Sequence, residues 1–251
     1  MFVTIAASDV AAALGLNPFR TPEEYMEILL RKYRGDISVE AETIQLLGLS
    51  EIARDLKSQN YTTMSPPELK QLQETILGTD DFLDANDYFE KNEHEEVIKR
   101  KKKVIESISN RRYGTDKEDT VVLRHTMDGS VIDKDSNFYK YPILVIKDVH
   151  YQIIGRIDRI ETNPDGERLI VEIKNRIHRL FLKLRDYERI QCLVYLQLVP
   201  NCTRCRLIES YGEKTHEEIV SNDEDLWETD LLPKLKEFCQ AFHESFQQVG
   251  R

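Results

Sequence analysis

Residues 168–174, with the sequence RLIVEIK, constrain the fold more than any other segment of the chain. Their apolar side chains do not alternate with polar ones, which is typical of a central strand covered on both faces. Glu172 and Lys174 interrupt this run, and because they are two residues apart on a strand, they point to the same side. Burying both charges costs several kcal/mol per ion unless something compensates for it. A metal ion bound by the Glu172 carboxylate would do so; the alternative is a half-exposed strand with a surface ion pair.

A second carboxylate, Asp158, lies near the end of an apolar strand predicted over 151–160, fourteen residues before Glu172. The turn sequence at 163–166 lies between them, so a hairpin can bring Asp158 beside Glu172. Two carboxylates, a neighbouring carbonyl oxygen and water make a set of hard oxygen ligands that suits Mg²⁺. We expect Gly155 to leave room for backbone or substrate to approach closely.

A helix predicted over 180–199 carries two polar side chains on an otherwise apolar surface. Gln191 and Tyr195 are four residues apart and therefore lie on the same helix face. This pattern favours a polar site against that face. The alternative is a core helix in which both side chains find local partners.

The rest of the chain shows helical patterns before the strands. Thr21, Pro22 and Glu24 form a capping-box sequence that begins a helix. Further helices are predicted at 38–58, 67–77, 93–109 and 224–247, and further strands at 121–123, 138–149 and 203–210. This order predicts an α/β fold with a mixed central β-sheet flanked by helices. We expect a helical N-terminal region over 1–112 and a core over 113–251, together forming one compact domain.

The net charge of −10 alone argues against a nucleic-acid partner, because phosphates repel an acidic surface. The charges are segregated, however. Acidic residues concentrate in 80–96 and 213–230, and basic residues in 99–112 and 174–189. Such a surface can bind DNA on its basic side; the alternative for any one run is a solvated helix face.

The sequence has no apolar run of bilayer-spanning length, and its start lacks the basic segment of a signal peptide. We therefore expect an intracellular protein with no membrane partner; cytoplasm, nucleus and viral factory are not distinguished. Cys202 and Cys205 have metal-ligand spacing, and Cys192 lies on the apolar helix. We interpret these as buried thiols and do not expect an iron–sulfur cluster or zinc.

Three motifs in this order resemble the PD-(D/E)XK nuclease superfamily, and the last is similar to that of RecB-like nucleases. The motifs are Gly155-x-x-Asp158, Glu172-Ile173-Lys174 and Gln191-x-x-x-Tyr195. The opening segment 8–20, SDVAAALGLNPFR, resembles the YqaJ-like viral recombinase family, which includes lambda exonuclease. The resemblance implies a restriction-endonuclease-like core.

The YqaJ-like resemblance also implies a Gly-x-x-x-Glu motif on a helix before the strands. The corresponding stretch here ends at Glu95, but Lys91 replaces the glycine. The choice among Glu93, Glu95 and Glu96 is therefore open. The resemblance implies that Mg²⁺, or Mn²⁺ in its place, is bound by Glu95, Asp158, Glu172 and the carbonyl group of Ile173.

The implied function is a metal-dependent deoxyribonuclease, and we expect an exonuclease that acts on double-stranded DNA ends in recombination, replication or repair. The alternatives are a structure-selective or site-specific endonuclease and a non-catalytic nucleic-acid-binding module. The catalytic residues implied by the resemblance are Asp158, Glu172, Lys174, Gln191 and Tyr195. The residues expected to contact DNA phosphates are Arg20, Lys99, Arg100, Lys102, Lys103, Arg176, Arg179, Lys183 and Arg185. A homo-oligomer and a single-strand-annealing or replication partner are compatible with this function.

Overall fold

The computed structural model describes residues 1–78, 91–125 and 129–249. The strands are β1 (Phe2–Ala6), β2 (Val131–Lys134), β3 (Tyr139–Ile146), β4 (Val149–Gly155), β5 (Arg159–Thr162), β6 (Arg168–Asn175), β7 (Arg204–Tyr211) and β8 (Lys214–Ser221). The helices are α1 (Val10–Ala13), α2 (Pro22–Arg34), α3 (Val39–Leu46), α4 (Ser50–Ser58), α5 (Pro66–Gly78), α6 (Lys91–His125), α7 (Asp186–Leu198), α8 (Glu224–Leu226) and α9 (Leu232–Val249). The predicted α/β class with helices flanking mixed β-structure is confirmed, but the strands form two mixed sheets where one central sheet was predicted.

The larger sheet has the strand order β2-β5-β6-β7-β8. Strand β6 runs parallel to β7 and antiparallel to β5, and it is buried along most of its length, as its sequence predicts. Val171 and Ile173 pack on the side of α6. Ile170 packs into the core formed with α7, and Glu172 and Lys174 share that face because side chains alternate along a strand.

The smaller sheet has the order β1-β4-β3 and brings the first residues of the chain beside its middle. Strand β1, which is absent from the predicted elements, runs parallel to β4 from Phe2 opposite His150 to Ala6 opposite Ile154. The main apolar core joins this sheet to α1, α2, α7 and α9. Helix α2 begins with the predicted capping box, in which Glu24 N–H donates to the Thr21 side chain and Thr21 N–H to the Glu24 side chain.

The predicted strand at 121–123 is wrong, because these residues form the last turns of α6. The β-branched Val121 and Val122 favour a strand, but Val121 is buried against the sheet, so packing overrides local preference. The helix predicted over 93–109 therefore continues without a break to His125. It crosses the boundary proposed at residue 112, so that boundary falls inside a helix.

Three other predicted elements are divided or shortened. Residues 38–58 form two helices, because Gly48 adopts a left-handed conformation with φ of 65°. The strand predicted over 151–160 is interrupted between β4 and β5, and Asp158 lies in this interruption. Helix α7 begins only at Asp186 because the residues before it form a loop. Among the described residues, no helix has the length and apolar character needed to cross a membrane.

Gly155 lies at the end of β4, where the side chains of Ala7 and of two α7 residues approach it. A Cβ atom at this position would lie 2.5 Å from Cδ1 of Leu198, 3.2 Å from Cβ of Ala7 and 3.3 Å from Cε1 of Tyr195. The missing side chain therefore allows β4 to pack closely against the helix that carries Tyr195.

We expect Gly155→Ala to lower the free energy of unfolding by about 1–3 kcal/mol, because the added methyl group overpacks this contact. Gly114→Ala is the matched control: Gly114 lies within α6, and no neighbouring atom is within 4 Å of a Cβ added there. This variant should gain about 0.5–1 kcal/mol from the better helix former. Urea denaturation measures both changes, and equal effects would contradict the packing role of Gly155.

Candidate active site

Asp158 lies just before β5, and the hairpin of β5 and β6 positions it beside β6. Arg159 pairs with Val171 across the hairpin, which places Asp158 next to Glu172. The Ile173 N–H donates a 2.8 Å hydrogen bond to Oδ2 of Asp158. Burial raises the pKa of Asp158, and the Ile173 hydrogen bond opposes this effect. The hairpin predicted to join the two carboxylates is therefore present.

Glu172 and Lys174 contact each other and the same side chain of α7. Nζ of Lys174 donates to Oε1 of Glu172 at 2.6 Å and to Oε1 of Gln191 at 3.0 Å. Nε2 of Gln191 donates to Oε1 of Glu172 at 2.9 Å and to the Tyr195 hydroxyl oxygen at 2.8 Å. The structure thus brings together Asp158, Glu172, Lys174, Gln191 and Tyr195.

The carboxylates of Asp158 and Glu172 together carry more negative charge than the positive charge of Lys174 can neutralise. Burial, followed by the Asp158 charge, raises the pKa of Glu172 to about 8. Burial alone would lower the pKa of Lys174, but the neighbouring Glu172 carboxylate raises it above its ordinary value. The lysine therefore remains an ammonium group, while the carboxylates compete for protons because they lie close together in a poorly solvated place.

Glu118 is a third carboxylate near this centre and is absent from the predicted site. It lies on α6, and burial followed by the Asp158 charge raises its pKa to about 7. Its charge also contributes to the raised pKa of Glu172. The signal was present in the sequence: Gly114-Thr-Asp-Lys-Glu118 matches the Gly-x-x-x-Glu pattern, but it follows the stretch that was predicted to hold the motif.

The structure does not bring Glu95 to the centre. Glu95 is exposed on α6, 23 residues before Glu118, which corresponds to about 35 Å along a helix. Glu96 is exposed as well and pairs with Lys99 and Arg100 on the same helix. The side chains of Lys91 and Glu93 lie outside the described residues.

The donor set fits a divalent cation through one unsatisfied atom. Oε2 of Glu172 is buried and has no hydrogen-bond partner among the described residues. Two further oxygen ligands are available beside Glu172: the Asp158 carboxylate, across the hairpin, and the carbonyl group of Ile173, the next residue in the sequence. Both are hard oxygen ligands of the kind that Mg²⁺ prefers. Three His, Cys, Asp or Glu side chains do not already converge on a metal position within the described parts of the chain, so the candidate set is two carboxylates and a backbone carbonyl, with Glu118 nearby.

Arg176 and Arg20, both expected to contact DNA, form ion pairs with residues distant in the sequence or in a neighbouring element. The guanidinium group of Arg176 donates to Oε1 of Glu209 and to Oε1 of Glu188, at 2.7 Å each, and its side chain is only 13% exposed. It is therefore not a surface cation. Arg20 pairs with Asp9 at 3.0 Å but remains partly exposed.

The other expected DNA contacts lie in two separate places. Arg179 and Lys183 are exposed, and Arg185 is partly exposed, in the loop just before α7. A second exposed group lies on the first half of α6 and consists of Lys99, Arg100, Lys102 and Lys103. The α6 group partly neutralises itself through pairs with Glu96 and Glu106. The loop, which directly follows β6, is the basic segment next to Lys174.

The chain matches the family model of the PD-(D/E)XK nuclease superfamily over residues 52–246. The chain belongs to this superfamily. The matched range contains Glu118, Asp158, Glu172 and Lys174. Membership implies a nuclease with a nucleic-acid substrate. It does not distinguish the YqaJ-like branch, which stays a prediction from the opening segment.

Among solved structures, the superfamily member described here is similar to the crystal structure of SSO0001. The two share 17% sequence identity, the match covers 69% of this chain and 84% of that chain, and the TM-score is 0.41. No curated protein matches the chain.

We expect the charge of Glu172 to destabilise the metal-free protein at high pH. Because its pKa is raised to about 8 in the folded state, the stability that its proton provides is complete at pH 4 and is lost as the pH rises through 8. Glu172→Gln keeps a neutral amide at every pH. In excess chelator, wild type should therefore lose stability relative to Glu172→Gln between pH 5 and 9, on the order of a few kcal/mol.

Thermal denaturation at a series of pH values measures this difference. Added Mg²⁺ should reverse it at pH 9, because the native wild-type protein binds the cation and the unfolded chain does not. If the stabilities of wild type and Glu172→Gln change equally with pH, the pKa of Glu172 is not raised in the folded protein.

Proposed function

We propose that this superfamily member is a divalent-metal-dependent deoxyribonuclease, and specifically an exonuclease acting on double-stranded DNA ends in recombination, replication or repair. The observation that carries the proposal is the buried, unsatisfied Oε2 of Glu172, held beside Asp158 and within reach of an ammonium group. A buried carboxylate oxygen without a hydrogen-bond partner is costly. A site that binds Mg²⁺, or Mn²⁺ in its place, accounts for that cost.

The carboxylates of Asp158 and Glu172 and the carbonyl oxygen of Ile173 would hold the cation, and Glu118, whose charge interacts with both carboxylates, lies nearby on α6. A divalent cation bound there supplies a Lewis acid for the scissile phosphate and lowers the pKa of a coordinated water molecule. The protein itself supplies the positioning. The Ile173 N–H fixes one Asp158 oxygen, and Gln191 fixes one Glu172 oxygen, so each carboxylate keeps its other oxygen for a ligand.

Lys174 provides the positive charge for the reaction. An ammonium group has three N–H donors, and two of them are directed at Glu172 and Gln191. The third is available to orient the attacking water or to stabilise negative charge that develops on the phosphate. Gln191 keeps Lys174 in place, and the Tyr195 hydroxyl in turn accepts from Gln191.

Glu172→Gln and Lys174→Gln should each reduce cleavage about a hundredfold or more, because the first weakens the cation site and the second removes the ammonium group that would act on the phosphate. Glu167→Gln is the matched control: this glutamate lies in the same hairpin but pairs with Arg204 at the surface. The assay compares end-labelled linear duplex DNA with closed circular DNA, with Mg²⁺ and with excess chelator.

Loss of only the linear DNA supports an exonuclease, and nicked circles would show an endonuclease instead. Cleavage that persists in excess chelator would reject the metal-dependent mechanism. Binding without any cleavage would indicate a non-catalytic module. Retained activity in both site variants would show that Glu172 and Lys174 form only a structural ion pair.

A further inference from the structure

The loop formed by residues 176–185, between β6 and α7, donates several hydrogen bonds to one buried carboxylate. Glu209 lies on β7 directly opposite Lys174 and is almost fully buried. Its Oε1 accepts from Arg176, and its Oε2 accepts from the backbone N–H groups of Phe181 and Leu182, at 3.0 and 3.1 Å. The loop is therefore fixed next to the catalytic lysine rather than free to move with solvent.

This anchoring presents an apolar side chain to solvent in an unfavourable backbone conformation. Leu182 has a φ of 55°, which is uncommon for a bulky residue without a local reason. Its side chain is 64% exposed, so burial of the side chain does not compensate for the strain. Strained residues that the surroundings hold in place are concentrated at functional sites. Beside it, the guanidinium groups of Arg176 and Arg185 lie against the ring of Phe181.

A second exposed apolar side chain approaches the same cluster from the N-terminal part of the chain. Phe19 is 77% exposed. Its ring contacts the ring of Tyr187 in an edge-to-face arrangement, with the ring centroids 5.7 Å apart. Tyr187 precedes Glu188, the other carboxylate bound to Arg176. The pKa of Tyr187 is raised by burial and then by the Glu188 charge, and the charges of Arg176 and, to a smaller extent, Lys174 oppose this rise.

Phe19 and Leu182 thus flank one ion-pair cluster whose centre is Arg176, and this cluster adjoins Lys174. We propose that these two side chains hold unpaired bases of the DNA strand that enters the active site. This inference rests on the proposed function and specifies its substrate: a DNA end whose last bases are single-stranded, as in a duplex with an unpaired tail.

The chemistry of the two side chains favours unpaired bases over intact duplex. Along a duplex, stacking covers the base faces except at the terminal pair, and what is accessible is mainly the hydrogen-bonding edges and the sugar-phosphate backbone. Phenylalanine and leucine have no polar atom that could contact either. They gain from contact with a base face, and aromatic stacking on single strands tolerates every base. The exposed Arg179 and Lys183 of the same loop supply the positive charge that follows the backbone.

The test measures DNA binding without cleavage, in excess chelator and at one salt concentration. Fluorescence anisotropy gives the Kd of a blunt duplex and of the same duplex with a single-stranded tail, and 2-aminopurine in the tail reports stacking directly. Wild type should bind the tailed duplex more tightly. Phe19→Ala should weaken binding of the tailed duplex about five- to hundredfold, leave the blunt duplex unchanged and reduce quenching of 2-aminopurine.

Three further variants make the test specific. Phe19→Trp should keep the preference for the tail. Leu182→Asn removes the apolar side chain but tolerates a positive φ, and it should also weaken tail binding. Phe2→Ala is the matched control, because Phe2 is 60% exposed but lies at the far end of β1, against His150; it should change neither Kd.

The inference is overturned if Phe19→Ala leaves the Kd for the tailed duplex unchanged, or if it weakens both DNA substrates equally. These outcomes are separate from failure of the proposed function. If wild type binds tails through Phe19 but cleaves no DNA with Mg²⁺, the base contact stands and the nuclease activity is rejected. If it cleaves DNA but shows no preference for a tail, only the base contact is rejected.

Discussion

The structure is organised around the close approach of two buried carboxylates, Asp158 and Glu172, to a single ammonium group. Each ion is costly to bury, and the two carboxylates also repel each other. The hydrogen bonds that hold them come from regular secondary structure: a backbone N–H of β6 for Asp158 and the α7 side chain Gln191 for Glu172. The close packing of Gly155 against α7 keeps that helix in position. The scaffold thus holds in place a charge arrangement that would not be stable in isolation.

Strands β6 and β7 also support a second ion cluster, which holds the loop beside the candidate active site. Glu209 lies beside Lys174 on the neighbouring strand, but it binds Arg176 and the loop instead of the reacting centre. Glu188 of α7 completes this cluster. Arg176 pairs with both carboxylates of this cluster, whereas Lys174 pairs with Glu172 alone, and the pKa values of Asp158 and Glu118 are raised beside that pair. This difference is the physical reason for interpreting the first group as a ligand site and the second as a support for the loop.

The features that depend on residues close together in the sequence could be predicted from the sequence. The buried strand, the hairpin joining Asp158 to Glu172, and the shared helix face of Gln191 and Tyr195 follow from local periodicity. The long-range features could not. Strand β1 pairs with a segment almost 150 residues away, and the end of α6 is stabilised by packing of Val121 on the sheet. Glu118 was missed for a different reason: its Gly-x-x-x-Glu pattern is local, but the stretch containing it was interpreted as the region where strands begin.

The central claim is that Asp158, Glu172 and the Ile173 carbonyl form a divalent-metal site. It is tested most directly by anomalous diffraction from crystals grown with Mn²⁺, recorded for wild type and for Glu172→Gln. If this site binds the metal, wild type should show an anomalous peak between the two carboxylates and the Ile173 carbonyl oxygen. The peak should be lost or strongly weakened in the variant. No peak at this position in wild type, or an equally strong peak in Glu172→Gln, would contradict it.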